Sequence, residues 1–141
     1  MAERLDIAPD LLASIVAAAD ADPTRECCGL LVGRGDGEVV VVERVVPAGN
    51  HAPDPRVAFE IEPAVLLATH RQARLAGLAV VGWYHSHPDG LPFPSARDAE
   101  HADETGKIWL IVARGEARAF ESVIAGPYEG RFREVALAPI E

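Results

Sequence analysis

Leu78-Ala79-Val80-Val81-Gly82-Trp83-Tyr84-His85-Ser86-His87-Pro88-Asp89-Gly90-Leu91-Pro92-Phe93-Pro94-Ser95-Ala96-Arg97-Asp98 decides how the chain folds and what it can hold. Leu78 to His85 is an unbroken apolar run, the signature of a buried central strand. His85 and His87 stand two apart at its end. Side chains at i and i+2 share one face of a strand, with Cα atoms roughly 7 Å apart, so both imidazoles can turn to one ion. Pro88 to Pro94 reads as a proline- and glycine-rich loop, after which Asp98 falls in the first turn of a short polar helix over Ser95 to Thr105. Two imidazole nitrogens and one carboxylate oxygen make three protein ligands and leave a fourth position for water, the build of a catalytic rather than a structural zinc site.

Outward from this stretch the punctuation is regular. Pro9 to Ala21 reads as an amphipathic helix, with Leu11, Leu12, Ile15, Val16 and Ala19 at helical spacing and Asp22-Pro23 ending it. Cys28 to Val32 and the valine-rich Val39 to Val46 read as strands joined by the turn Gly33-Arg34-Gly35-Asp36-Gly37. Residues 47 to 56 hold three prolines and read as a loop, followed by a brief strand over Val57 to Ile61. A helix runs from Pro63 to about Ala76, stopped by Gly77. Three further strands are expected at Ile108 to Ala113, Ala117 to Ile124 and Phe132 to Leu137. The order α, β, β, β, α, β, α, β, β, β gives an α/β fold: one domain over residues 1 to 141, a mixed sheet flanked by helices.

Length and charge narrow the classes. A chain of 141 residues suits one domain and can bury a core without disulfides. A net charge of −9 argues against nucleic acid, which calls for a basic stripe. Cys27 and Cys28 are adjacent, so in a strand they point to opposite faces and are poorly placed to bridge each other. With no cysteine framework, no signal-peptide pattern and no apolar run of membrane-spanning length, the expectation is a soluble cytoplasmic protein.

Peptide hydrolysis on a metal also needs a base for the water's proton and a donor for the developing oxyanion. Glu26, at the mouth of the first strand, is a candidate base, and Ser95 a candidate donor. His85-x-His87, seven residues, Ser95, two residues, Asp98, with Glu26 upstream, resembles the JAMM motif of the JAB1/MPN/Mov34 metalloproteases, small bacterial type. Glu26-Cys27-Cys28-Gly29-Leu30-Leu31-Val32-Gly33 is similar to that family's glutamate segment. Ala48-Gly49-Asn50 and Phe59-Glu60-Ile61-Glu62-Pro63 resemble its middle region.

The resemblance implies a JAB/MPN-like domain of cytidine-deaminase-like fold and one Zn2+ ion held by His85, His87 and Asp98. It implies that Glu26 holds and deprotonates the water, and that Ser95 steadies the tetrahedral intermediate. It further implies a substrate of the ubiquitin-like or sulfur-carrier class, cut at its C-terminal tail, as in release of cysteine from a carrier's terminal glycine. The long insertions of chain-selective eukaryotic members are absent after Pro88. A metal-free scaffold on the same fold and a small-molecule zinc amidase are the rivals.

Plainer roles stand beside these. Ser95-x-x-Asp98 is also a helix capping pattern, and a glutamate before a strand is ordinarily solvated. His51, His70 and His101 read as surface residues, Asp89 and Asp103 as acids without ligand spacing, and Ser86 as a supporting hydrogen-bond partner. Trp83 and Tyr84 read as strand packing.

Overall fold

The computed structural model describes residues 1–35 and 37–140. Its elements are β1 (Arg4–Ile7), α1 (Pro9–Ala21), β2 (Cys28–Gly35), β3 (Val39–Ala48), α2 (Pro63–Leu75), β4 (Ala79–Ser86), α3 (Ala96–Glu100), β5 (Ile108–Ala113), β6 (Glu116–Ser122) and β7 (Phe132–Pro139). The strands follow the order β1-β3-β2-β4-β5-β6-β7 and close, because β1 pairs in parallel with both β3 and β7. β4 and β5 are also parallel, and the remaining pairs are antiparallel. The mixed sheet and flanking helices are as expected; closure is not. A closed seven-strand order is not specific to a cytidine-deaminase-like sheet.

Burial explains the closure. One apolar cluster takes side chains from every strand, among them Leu5, Leu31, Val42, Tyr84, Leu110, Ala119 and Val135. Against it α1 packs Leu11, Leu12, Ile15, Val16 and Ala19, so the sheet curls around the apolar face of one helix. The opposite faces carry two smaller clusters. Trp109, Ile111, Phe120 and Phe132 form one, and α2 covers Leu30, Val32 and Val80 in the other. β5 is buried at all six positions, as a central strand with both faces covered must be.

Three expectations need correcting. Arg4–Ile7 is a strand that the sequence did not signal: four residues are too short for alternation to speak, and its pairing comes from two distant strands. Val57 to Ile61 is not a strand. It makes one isolated bridge, Asn50 to Ile61, and the Asn50 side chain supplies the bonds a ladder would have given to Ala58 and Glu60. The helix expected through Thr105 ends at Glu100, and the Ser122 hydroxyl takes the Glu104 carbonyl beyond it. In the turn after β2, Asp36 lies outside the described residues; β2 itself continues to Gly35.

Gly82 of β4 pairs with Ile108 of β5. A Cβ built there would stand 1.9 Å from the Ile108 carbonyl oxygen, which belongs to the backbone and cannot swing away. Gly82→Ala should therefore destabilise the fold by about 3 kcal/mol, at the upper end of overpacking costs. Thermal unfolding followed by circular dichroism would show a Tm lower by roughly 10 °C; an unchanged Tm would mean β4 and β5 are not packed this closely.

Candidate metal centre

The antiparallel register of β2 and β4 sets Cys28 opposite His85. Continued two residues past both, it brings Glu26 level with His87, and the bond from Ser86 N–H to the Cys27 carbonyl holds that extension. Parallel pairing with β5 then keeps this end of β4 fixed, His85 standing beside Ile111. The chain leaves β4, loops, and returns with Asp98 at the start of α3. Residues far apart in sequence thus meet at one end of the sheet.

The contacts are close. His85 Nε2 and His87 Nε2 are 3.0 Å apart. Asp98 Oδ1 lies 3.1 Å from the first and Oδ2 3.2 Å from the second. His85 is wholly buried, and Asp98 is nearly so. Phe59 stacks on the His85 ring at 4.3 Å, and Trp109 meets it edge-on at 5.7 Å. His87 Nδ1 donates to the Leu91 carbonyl at 2.8 Å, a bond that in the neutral ring leaves the Nε2 lone pair facing His85 and Asp98.

The charges respond to this crowding. Burial holds His85 below the ordinary imidazole range, outweighing Asp98. At His87 burial pulls the same way, but the Asp98 hydrogen bond and charge and the Leu91 carbonyl outweigh it and raise the pKa. Burial would raise Asp98 as well, yet the two histidines hold its carboxyl far below the usual carboxylate range. Two imidazole nitrogens therefore face the two oxygens of a carboxylate whose negative charge a proton or a cation would balance. Ligands about 2.0–2.1 Å from a tetrahedral ion lie ~3.3 Å from one another, close to the 3.0–3.2 Å found. The donor set fits zinc.

Glu26 stands beside the two histidines. One of its carboxylate oxygens and a ring nitrogen from each of His85 and His87 all lie within 4.8 Å of one another. It is 5 % exposed, its Oε1 has no hydrogen-bond partner among the described residues, and burial pushes its pKa up to about 7. Ser95 closes a capping box on α3: its Oγ accepts from Asp98 N–H at 3.0 Å, and its own N–H donates to Asp98 Oδ2 at 2.9 Å. The plain capping role is thus real, and it fixes the carboxylate that faces both histidines. Glu26, His87 and Ser95 share a cleft of about 520 Å³ between residues 56–57 and 88–95.

The remaining candidates fall where the sequence put them. His51, His70, His101, Asp89 and Asp103 are exposed. Ser86 accepts a bond from Cys27 N–H at 2.9 Å. Tyr84 is in the core, and Trp83 packs edge-on to Trp109. Both cysteines are free thiols, and burial pushes Cys28 up to about 12, an unreactive value. The loop after β4 is pinned: Phe93 stacks on Tyr128, with the Arg118 guanidinium 4.9 Å over its ring. Sequence reasoning missed the Phe59 wall and the Leu91 carbonyl. Phe59 could have been suspected as the aromatic that opens Phe59-Glu60-Ile61-Glu62-Pro63; a main-chain carbonyl leaves no sequence signal.

Among known proteins, the chain is similar to the "Desampylase" of Haloferax volcanii, 39% identical over 112 residues that make up 77% of this chain and 79% of that one. It is similar to the "Probable TtuB-protein conjugate cleaving protease" of Thermus thermophilus, 38% identical over 78 residues, 55% of this chain and 49% of the relative. A protein of Desulfitobacterium hafniense with a known solution structure superposes with a TM-score of 0.82 at 27% identity, covering 97% of this chain and 93% of that one. The family model described as prokaryotic homologs of the JAB domain matches residues 8–123, and the chain belongs to that family.

Proposed function

We propose that this chain is a zinc metallopeptidase that hydrolyses a peptide or isopeptide bond at the C-terminal tail of a ubiquitin-like or sulfur-carrier protein. The observation that carries the reading is the meeting of His85, His87 and Asp98 within 3.2 Å beside a buried carboxyl whose Oε1 has no hydrogen-bond partner among the described residues, in an open cleft. In this reading His85, His87 and Asp98 hold the zinc, Glu26 is the base, and Ser95 is the oxyanion donor. A scaffold has no need to bury such a set. A small-molecule amidase has no need of a cleft this open to one side.

When bound, zinc supplies Lewis acidity to the attacking water and to the scissile carbonyl. Glu26 takes the proton of that water on the oxygen that has no other partner, then delivers it to the leaving nitrogen. The capping bond uses a lone pair of the Ser95 hydroxyl and not its proton, so the proton stays available to the oxyanion. The Leu91 carbonyl keeps the His87 ring oriented throughout. Substrate class follows from what the relatives are named for, conjugate cleavage and desampylation.

The tail enters between Arg56-Val57 and the pinned loop. The β3 strand is less suited as an edge for the tail, because β1 and β2 cover both sides of Val40 to Val42. Free thiols accord with a cytoplasmic protein, and no helix among the described residues is long and apolar enough to cross a membrane. We take residues 1 to 141 as one domain.

The test is mass spectrometry of ubiquitin-fold carriers bearing either a C-terminal extension or an isopeptide-linked lysine. The expected product is the carrier ending at its terminal glycine. Intact substrates of both kinds after long incubation with zinc would refute the reading.

A further inference from the structure

Asn50 follows β3 and has no part in the chemistry above, yet its carboxamide is fully engaged. Nδ2 donates to the Glu26 carbonyl and to the Ala58 carbonyl, each at 2.9 Å. Oδ1 accepts from Ala52 N–H and from Glu60 N–H, each at 3.0 Å. Both donors and both lone pairs are used. Three of the four bonds tie together the two legs of the loop over residues 51–60. The fourth reaches across to the residue that the proposed mechanism uses as base.

Among the described residues, the other hydrogen bond of Glu26 is also made by its main chain. Its N–H donates to the Pro55 carbonyl at 2.6 Å, on the same loop that Asn50 ties. The next peptide is fixed to β4 through Cys27 N–H and the Ser86 hydroxyl. The carboxyl itself offers an oxygen, Oε1, with no hydrogen-bond partner among the described residues, so no bond there aims that atom. Where the carboxyl points depends on the peptide before and after it, and Asn50 fixes both: the carbonyl directly, the N–H through the loop that carries Pro55.

We infer that Asn50 is a positioning residue for the base: its carboxamide locks the Glu26 main chain to the 51–60 loop and thereby aims the Glu26 carboxyl at the metal centre. This rests on Glu26 being the base. The same loop places Arg56 and Val57 on the wall of the cleft, so one side chain sets both the base and the wall along which a tail lies.

Asn50→Asp is the sharpest probe. It keeps the acceptor bonds from Ala52 and Glu60 and loses both donor bonds, leaving an oxygen facing the Glu26 carbonyl. A displacement of about 1 Å at a reacting group costs on the order of a hundred-fold in rate. With the zinc-loaded protein and a carrier conjugate, kcat should fall 10- to 100-fold, with KM within about three-fold and zinc content unchanged. In a Glu26→Gln background the same change should have no further effect, a non-additivity that a merely structural role would not show.

An arm independent of activity reads the main chain itself: hydrogen exchange of the Glu26 N–H, which donates to the Pro55 carbonyl, should speed by roughly ten-fold or more in Asn50→Asp, while the Ser86 N–H bonded to the Cys27 carbonyl keeps its protection. If Asn50→Asp does not fold, Asn50→Ala is read the same way without the repulsive oxygen. Full kcat with unchanged hydrogen exchange at the Glu26 N–H would overturn the inference, as would a kcat loss matched by loss of zinc or equal in the Glu26→Gln background. If the native protein cleaves no conjugate, the proposed function fails, while hydrogen exchange at the Glu26 N–H still decides whether Asn50 holds that main chain.

Discussion

Glu26→Gln should lower kcat by about a thousand-fold, the scale of general acid–base catalysis, while zinc content stays at the native value. The amide keeps the size of the side chain and cannot accept the proton. The native rate should climb with pH as Glu26 ionises, with a midpoint at or below about 7 once a cation sits nearby; the residual rate of Glu26→Gln should not follow that curve.

The same substitution predicts a stability change of known sign. The folded protein holds the Glu26 proton up to about pH 7, whereas the unfolded chain releases it near 4.5. Below the lower value both states are protonated and the group costs nothing. The cost grows between the two and is complete above about pH 7, at most about 3 kcal/mol. Metal-free Glu26→Gln should therefore be more stable than native protein at pH 8 and equal to it at pH 4. Denaturant unfolding at the two pH values checks this; a gain that is the same at both would show that burial is not what raises the Glu26 pKa.

Asp98→Asn should be as damaging to hydrolysis and opposite in its effect on the apoprotein. Losing the anionic member of the donor set should cost on the order of a thousand-fold in activity, together with most of the bound zinc. Here the folded-state pKa is depressed, because His85 and His87 favour the charged carboxylate against the cost of burial. The stabilisation is present above the ordinary carboxylate range and disappears as the pH falls through the folded value. Metal-free Asp98→Asn should thus be less stable than native protein at pH 8, where Glu26→Gln is more stable. Two carboxyls in one site would shift stability in opposite directions while both substitutions stop the reaction. Metal analysis and unfolding of the two variants side by side would test it; normal zinc in Asp98→Asn would remove Asp98 from the ligand set.

Much of this was open to reading in the sequence, and the exceptions share a cause. The strand over Leu78 to His85, the helix from Pro9 and the helix from Pro63 follow from apolar periodicity and proline placement, which are local. His85, His87 and Asp98 were legible because strand spacing and a loop of known length bring them together with few alternatives. Arg4–Ile7 was not, since its pairing with β3 and β7 depends on strands some 35 and 132 residues away in the register Arg4 to Val39 and Arg4 to Ala136. Barrel closure hangs on that same strand. Val57 to Ile61 misled because a β-rich composition says nothing of an Asn50 side chain that takes up its backbone bonds. Ser95 carries a cap and a cleft position in the same hydroxyl, and sequence alone does not separate the two.

The most direct measurement is the initial rate of conjugate cleavage by chelator-treated protein as zinc is added back in sub-stoichiometric steps. The site described here predicts no cleavage in the stripped protein, a linear rise to one zinc per chain and a plateau beyond it. Cleavage that persists in the stripped protein, or a rate indifferent to zinc, would contradict it.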